Sequence, residues 1–267
     1  MSLSFCSFAS GSSGNCYLVK TESTSVIIDA GISAKRIREG LARTNTPEES
    51  VAALLVTHEH SDHVSGLGPA TNALKTAEVV ASAGTFANLR GGAVNIPSGR
   101  KHIVSAGNRL TAGDIEISVF GLRHDAAEPT GFTLTSSSGS VSIVTDTGAL
   151  TEEILSAVCD SDLIALEANH DVEMLKHGRY PAFLKQRILG ESGHLSNAQA
   201  ANAVCEIMNM DKKPRCILLS HLSRDNNHPQ LAEKTVADIL GEMGWYSGRD
   251  LFLKPLLRDR MSVVFEI

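Results

Sequence analysis

The sequence predicts an α/β domain with helices on both sides of sheet layers, and three observations predict it. Short apolar runs of strand length alternate with periodic, capped segments of helix length. The buried runs repeatedly end in a polar residue of the ligand type, namely Asp29, His58, His124, Asp146, Glu167 and His221. No long linker, charge run, low-complexity tract or repeat divides the 267 residues, so one domain spanning 1–267 is expected.

The elements follow in order. Leu3 to Phe8 alternates as a strand, Ser10 to Asn15 is a loop of small residues, and Cys16 to Val19 resumes a strand. Ser25 to Gly31 is a buried strand carrying Asp29 near its end, and Ser33 to Arg43 is helical. After a turn at Pro47 to Ser50, Val51 to Val56 is a buried strand. Ser61 to Gly66 reads as a loop entering a short helix, followed by a helix over Pro69 to Lys75. Glu78 to Ala81 is a strand, Gly84 to Leu89 a helix, and Arg90 to Lys101 a glycine-rich, partly basic loop. Asp114 to Phe120 alternates cleanly as a half-exposed strand, and Thr130 to Ser136 with Ser140 to Thr145 form a hairpin-like pair. Leu150 to Val158 is a helix with Thr151 as its cap, and Leu163 to Leu166 is a strand. Met174 to Leu189 is helical but broken near Tyr180-Pro181. A helix capped by Ser196 or Asn197 runs to about Met208. Arg215 to Ser220 is a buried strand, Pro229 to Met243 a helix, and Met261 to Ile267 closes a sheet.

Composition narrows the function classes. A chain that is 42% hydrophobic and 20% charged is an ordinary globular protein. A net charge of −6 leaves no global basic footprint for nucleic acid, though a local basic groove remains open. Five scattered cysteines without C-x-x-C spacing predict reduced thiols and a cytoplasmic protein. The N-terminus lacks a basic segment followed by a long apolar core, so no signal peptide is expected, and no run reaches membrane-spanning length.

The densest chemistry lies in Thr57-His58-Glu59-His60-Ser61-Asp62-His63, the pattern H-x-H-x-D-H directly after a buried strand. Imidazoles suit zinc, and carboxylates extend the choice to manganese or iron. His58 and His60 can meet one ion while Asp62 and His63 turn towards a second. A single strand-end acid or histidine is usually structural, whereas six in one chain argue for convergence on one sheet edge. Asp29 either orients a ligand histidine or caps the following helix. The Ser10–Asn15 loop, including Ser12, Ser13, Gly14 and Asn15, either cradles an anion or makes a tight turn. His170 either contacts substrate or is a core histidine bonded to a backbone carbonyl. Asn226 and Asn227 either cap the next helix or hold His221. Lys176, Arg179, Lys185 and Arg187 form a solvated helical face or line a nucleic-acid path. His102, His177 and His228 are read as surface residues.

His58-x-His60-x-Asp62-His63 followed by His124, Asp146 and His221 resembles the ligand series of the metallo-β-lactamase fold, over essentially the whole chain. The resemblance implies a four-layer αββα sandwich of two mixed sheets. It further implies that His58, His60 and His124 hold one divalent ion and that Asp62, His63 and His221 hold another. Asp146 would bridge the two, and Asp29 would stand behind them. Gly193-His-Leu-Ser-Asn197 and Leu219-Ser-His-Leu-Ser223 resemble the phosphodiesterase branch that includes the tRNA 3′-processing endonuclease. There a histidine matching His194 acts on the scissile phosphate, supported by a glutamate matching Glu167. Ser10 to Val19, Leu166 to Leu175, Tyr180-Pro with Leu184 to Ile188, and His221 to Asn227 resemble the YycJ/WalJ-like group. That group is associated with DNA exonuclease activity, 5′-to-3′ and linked to mismatch repair in some members. Two manganese or zinc ions, a DNA substrate and a homodimer are implied in turn. The implied chemistry is phosphodiester hydrolysis. Asp62 orients the attacking water as well as binding metal, and His194 protonates the leaving oxygen while Glu167 keeps its ring oriented. An RNA-processing endonuclease or a cyclic or small-molecule phosphodiesterase of the same fold is the alternative.

Overall fold

Two seven-stranded sheets lie at the centre of the computed structural model, which describes residues 2–267. In chain order the strands are β1 (Ser4–Ala9), β2 (Cys16–Lys20), β3 (Ser25–Ile28), β4 (Val51–Leu55), β5 (Glu78–Ser82), β6 (Lys101–Val104), β7 (Arg109–Ala112), β8 (Ile115–Gly121), β9 (Thr130–Ser136), β10 (Gly139–Val144), β11 (Leu163–Glu167), β12 (Arg215–Ser220), β13 (Leu251–Pro255) and β14 (Phe265–Glu266). One sheet has the order β14-β1-β2-β3-β4-β5-β6 and the other β13-β12-β11-β10-β9-β8-β7. The helices are α1 (Ala34–Arg43), α2 (Ser61–Val64), α3 (Leu67–Ala73), α4 (Ala83–Asn88), α5 (Glu152–Val158), α6 (Val172–His177), α7 (Ala182–Leu189), α8 (Asn197–Met210) and α9 (Pro229–Glu242).

Period-two alternation explains the layering. On β3 and β4, Val26, Ile28, Ala53 and Leu55 face the second sheet and meet Ile117, Phe132, Ile143 and Leu218 in the central core. The alternate residues Ile27 and Leu54 face outward and pack with Ile37 and Leu41 of α1 and Leu67 of α3. On the far side, Ile164, Leu166, Ile217 and Leu219 pack with α5, α8 and α9 through Ile154, Val204, Ile207 and Val236. Both faces of both sheets are therefore covered, which is why the central strands read as continuous apolar runs. The result is the four-layer αββα sandwich.

Strand direction places the functional ends together. β3 runs parallel to β4. β10, β11 and β12 run parallel to one another, and β8 shares their direction because β8 and β10 are both antiparallel to β9. Asp29, His58, His124, Asp146, Glu167 and His221 thus stand at C-terminal strand ends of the two sheets.

The structure departs from expectation at the sheet margins. β6 and β7 lie in or just after the segment read as loop, and three of the four β6 residues are exposed, so no apolar run announced it. β13 was likewise not expected; it is an edge strand with Phe252 and Lys254 exposed. From Met261 onward only Phe265–Glu266 pairs with β1. The break at Tyr180-Pro181 separates α6 from α7, because proline lacks the amide that would continue the helix. All five cysteines are free. Among the described residues no helix is long and apolar enough to cross a membrane.

Candidate metal centre

The loop after β4 is held by one buried carboxylate. Asp29 Oδ1 accepts from the Thr57 amide at 2.9 Å, and Asp29 Oδ2 accepts from His63 Nδ1 at 2.7 Å. Thr57 Oγ1 donates to Asp29, which leaves its lone pair to accept from His58 Nδ1 at 3.0 Å. Gly31 and Gly66 allow the chain to pass beneath this loop, since a Cβ at either would lie within 2 Å of a carbonyl oxygen, Asp62 O or Ile32 O. Asp29 therefore orients His63, while the cap of α1 is Ser33.

A second buried carboxylate does the same work on the other sheet. Glu167 Oε2 accepts from the amides of Thr147 (2.9 Å) and Leu195 (3.3 Å). Glu167 Oε1 accepts from His194 Nδ1 at 2.8 Å and from His221 Nδ1 at 3.0 Å. The resemblance implied support for His194 only; the bond to His221 is an addition from the structure. The His221 amide donates to Ser10 Oγ at 2.9 Å, and Ser10 Oγ is 2.9 Å from the buried Tyr17 hydroxyl. His124 Nδ1 donates to the Gly193 carbonyl at 3.1 Å.

These bonds fix tautomers. His58, His63, His124 and His221 each spend Nδ1–H on an acceptor, so each presents an Nε2 lone pair inward. His124 Nε2 lies 3.2 Å from His60 Nδ1. His221 Nε2 and His63 Nε2 lie 3.4 and 3.5 Å from Asp62 Oδ2. Asp146 Oδ2 lies 3.0 Å from His63 Nε2. Two nitrogens on one tetrahedral zinc would stand about 3.3 Å apart, given metal–nitrogen bonds of about 2.0–2.1 Å. The buried His58 Nε2 and Asp146 Oδ2 have no aligned hydrogen bond. The sets His58/His60/His124 and Asp62/His63/His221 are each compact enough to hold one ion, with Asp146 in a third set beside His58 and His63. The donor set fits a divalent cation.

Backbone strain marks the same residues. Asp29, Asp146 and His221 have φ of 60°, 60° and 52°. Left-handed backbone of this kind costs on the order of 1–3 kcal/mol per residue and persists only where the surroundings enforce it. Burial pushes the His58 ring well below the ordinary imidazole range, and the neighbouring His63 adds to this. Burial also opposes charge on His194, but the Glu167 carboxylate outweighs it and holds that ring above the ordinary value. His194 keeps an exposed edge, at 19% of its side chain.

The structure corrects some substrate-contact expectations. Asn15 is fully buried; its Nδ2 is 3.0 Å from His63 Nε2, and its Oδ1 accepts from the Gly11 amide at 2.8 Å. Asn15 underpins the site from within, and Gly14 is buried against the Gly31 carbonyl, where a Cβ would come within 2.6 Å. Ser12 and Ser13 are exposed. His170 is fully buried with neither ring nitrogen bonded, so it does not meet a backbone carbonyl. The cap of α9 is His228, whose amide donates to Asn227 Oδ1 at 2.9 Å. Asn227 also bonds Asn197 and the carbonyls of Ala168 and Asn169, while Asn169 Nδ2 donates to the His221 carbonyl at 3.0 Å. Sequence reasoning missed the roles of Thr57, Tyr17 and Asn169, and it named Ser10 only as part of a small-residue loop; of its two readings of Asn227, the structure links the residue to His221 through Asn169.

Residues 24–221 match the family model described as a Beta-lactamase superfamily domain. The chain belongs to the beta-lactamase superfamily. The fold of this superfamily is that of metal-dependent hydrolases. The chain is 38% identical over 93% of its length to exodeoxyribonuclease YycJ of Bacillus anthracis, covering 93% of that protein. It is 36% identical over 97% of its length to exodeoxyribonuclease WalJ of Streptococcus pneumoniae, covering 96% of that protein. The crystal structure of the metallo-beta-lactamase fold protein YhfI from Bacillus subtilis superposes with a TM-score of 0.70 at 16% identity, over 98% of this chain and 99% of that one. That likeness speaks for the fold alone.

Proposed function

We propose that this superfamily member is a metal-dependent phosphodiesterase that degrades DNA from an end, acting as one domain across residues 1–267. The observation that carries the chemistry is the pairing of convergent Nε2 lone pairs with a histidine, His194, held on the same Glu167 carboxylate as His221. The 36–38% identity to exodeoxyribonucleases over nearly the whole chain supports DNA as the substrate. In this reading His58, His60 and His124 hold one divalent ion, Asp62, His63 and His221 hold a second, and Asp146 lies between them. Such ions supply Lewis-acid charge at phosphoryl oxygens and make water a nucleophile near neutral pH. Asp62 orients the attacking water from its half-buried position. His194 Nε2 gives a proton to the leaving oxygen; Glu167 fixes its ring and raises its proton affinity. The choice of zinc or manganese, the homodimer and cytoplasmic residence belong to the same reading and rest on the family resemblance and the reduced cysteines.

End-labelled single- and double-stranded DNA, incubated with metal-free protein and then with added manganese or zinc, tests this. Metal-dependent stepwise loss from one end, reduced to the metal-free background in His58→Ala, is the expected result. Absence of DNA cleavage with either metal, alongside cleavage of structured RNA or a cyclic phosphodiester, would replace it with the RNA-processing or small-molecule alternative.

A further inference from the structure

A cavity of about 170 Å³ opens beside the exposed edge of His194, lined by Ser12, Asp125, Tyr180, Arg187 and Ser223. It is well below the roughly 300–1,000 Å³ of sites that enclose drug-sized molecules, so it suits a terminal group. One wall is Tyr180 and α7, through Leu184, Arg187 and Ile188. Arg187 is the one lysine or arginine in the lining. Arg187 Nε donates to Asp125, which fixes the guanidinium; its two Nη groups make no hydrogen bond to the protein among the described residues. The Ser12 hydroxyl is exposed on the opposite loop, and the Tyr180 hydroxyl is tied to Asp225 at 3.0 Å. A planar guanidinium with free donors facing hydroxyls is the chemistry that recognises a phosphate.

We propose that this cavity is the end-recognition site and takes the 5′-phosphate of the terminal nucleotide, an inference that rests on the nuclease reading above. His194 serves the leaving oxygen, so the cavity at its edge lies on the leaving-group side of the scissile bond. A cavity that suits only a terminal group there places the short piece on the departing side. Hydrolysis adds the oxygen of water to phosphorus and breaks the P–O3′ bond. The departing O3′ takes a proton from His194, and the water returns one. The released nucleotide carries the 5′-phosphate that was in the cavity, and the shortened strand keeps the scissile phosphate as a new 5′-phosphate. Each cut thereby makes the group that the cavity reads next.

The test uses full-length protein with manganese and 3′-labelled DNA strands identical except for a 5′-phosphate or a 5′-hydroxyl. The 5′-hydroxyl is expected to slow the first cut by about tenfold or more, the scale of a lost charged hydrogen bond, with later cuts at the normal rate. Arg187→Gln, at an exposed helical position, is expected to bring the first cut on the phosphorylated strand down to that of the hydroxyl strand. Ser12→Ala, on an exposed loop, is expected to give a smaller loss of the same preference. Equal first cuts in the wild type, a preference unchanged in Arg187→Gln, or loss from the 3′ end would each overturn the assignment while leaving the nuclease intact. No degradation of either strand would sink the nuclease reading, and this site with it.

Discussion

The first sheet delivers His58, His60, Asp62 and His63 from one loop after β4, whereas the second delivers His124, Asp146, Glu167, His194 and His221 from five separate places. Both halves rest on a fully buried carboxylate at a strand end, Asp29 in one and Glu167 in the other. Each carboxylate accepts a backbone amide at 2.9 Å and fixes a histidine through Nδ1. They differ in what else they hold. Asp29 serves only the loop, through His63 and Thr57. Glu167 bonds both His221 and His194, so it couples a proposed ligand to the proposed proton donor. The comparison teaches that a contiguous motif needs one anchor to become a half-site. A dispersed half-site instead needs its anchor to tie separate elements together.

The comparison can be broken most directly at His194. His194→Ala should lower kcat on DNA by about 10²–10⁴ while bound metal, measured by elemental analysis, stays at the wild-type level. Metal loss of the same size as in His58→Ala would make His194 a ligand and erase its separate role. Asp29→Asn and Glu167→Gln should each weaken metal affinity by about 10–100-fold. At saturating metal Asp29→Asn should recover its rate, and Glu167→Gln should remain slow; equal recovery would show that the two carboxylates are equivalent. Phe132 is fully buried between the sheets. Phe132→Ala should cost about 3–5 kcal/mol in denaturant unfolding, and the protein that remains folded should keep its metal content. A cost under about 1 kcal/mol would mean that the central core does not hold the two half-sites together.

The smallest effect concerns acid. Burial lowers the His170 pKa to about 4, against about 6.5 in an unfolded chain. The neutral ring is favoured by folding, so this contribution is complete above about pH 6.5 and is lost as pH falls towards about 4. It amounts to at most about 3 kcal/mol. His170→Gln should flatten the stability profile in that window, and an undiminished acid loss in the variant would refute the assignment.

How much was legible can be judged from particular residues. The H-x-H-x-D-H loop was readable because its residues are contiguous and follow an apolar run. Asp29, Asp146, Glu167 and His221 were readable one at a time as strand ends. β6, β7 and β13 were not, because an edge strand exposes much of its surface and its pairing partner is distant in sequence. The same limit governed Asn15 and His170. Polar residues in a loop of small residues or after a strand look solvent-facing until the neighbours that bury them are known, and only the fold brought Asp62 and His63 over Asn15.

The α/β alternation and the strand ends that carry ligand-type residues were legible in the chain itself, because they depend on periodicity and local spacing. The pairing of His194 with Glu167 came only as what a family resemblance implies. Tertiary structure alone decided the tautomers, the second duty of Glu167, the left-handed backbone at Asp29, Asp146 and His221, and the cavity between Ser12 and Arg187. Each of these depends on which atoms meet across the two sheets, and hydrogen bonds a few ångströms long between residues tens to hundreds of positions apart leave no periodic trace in sequence.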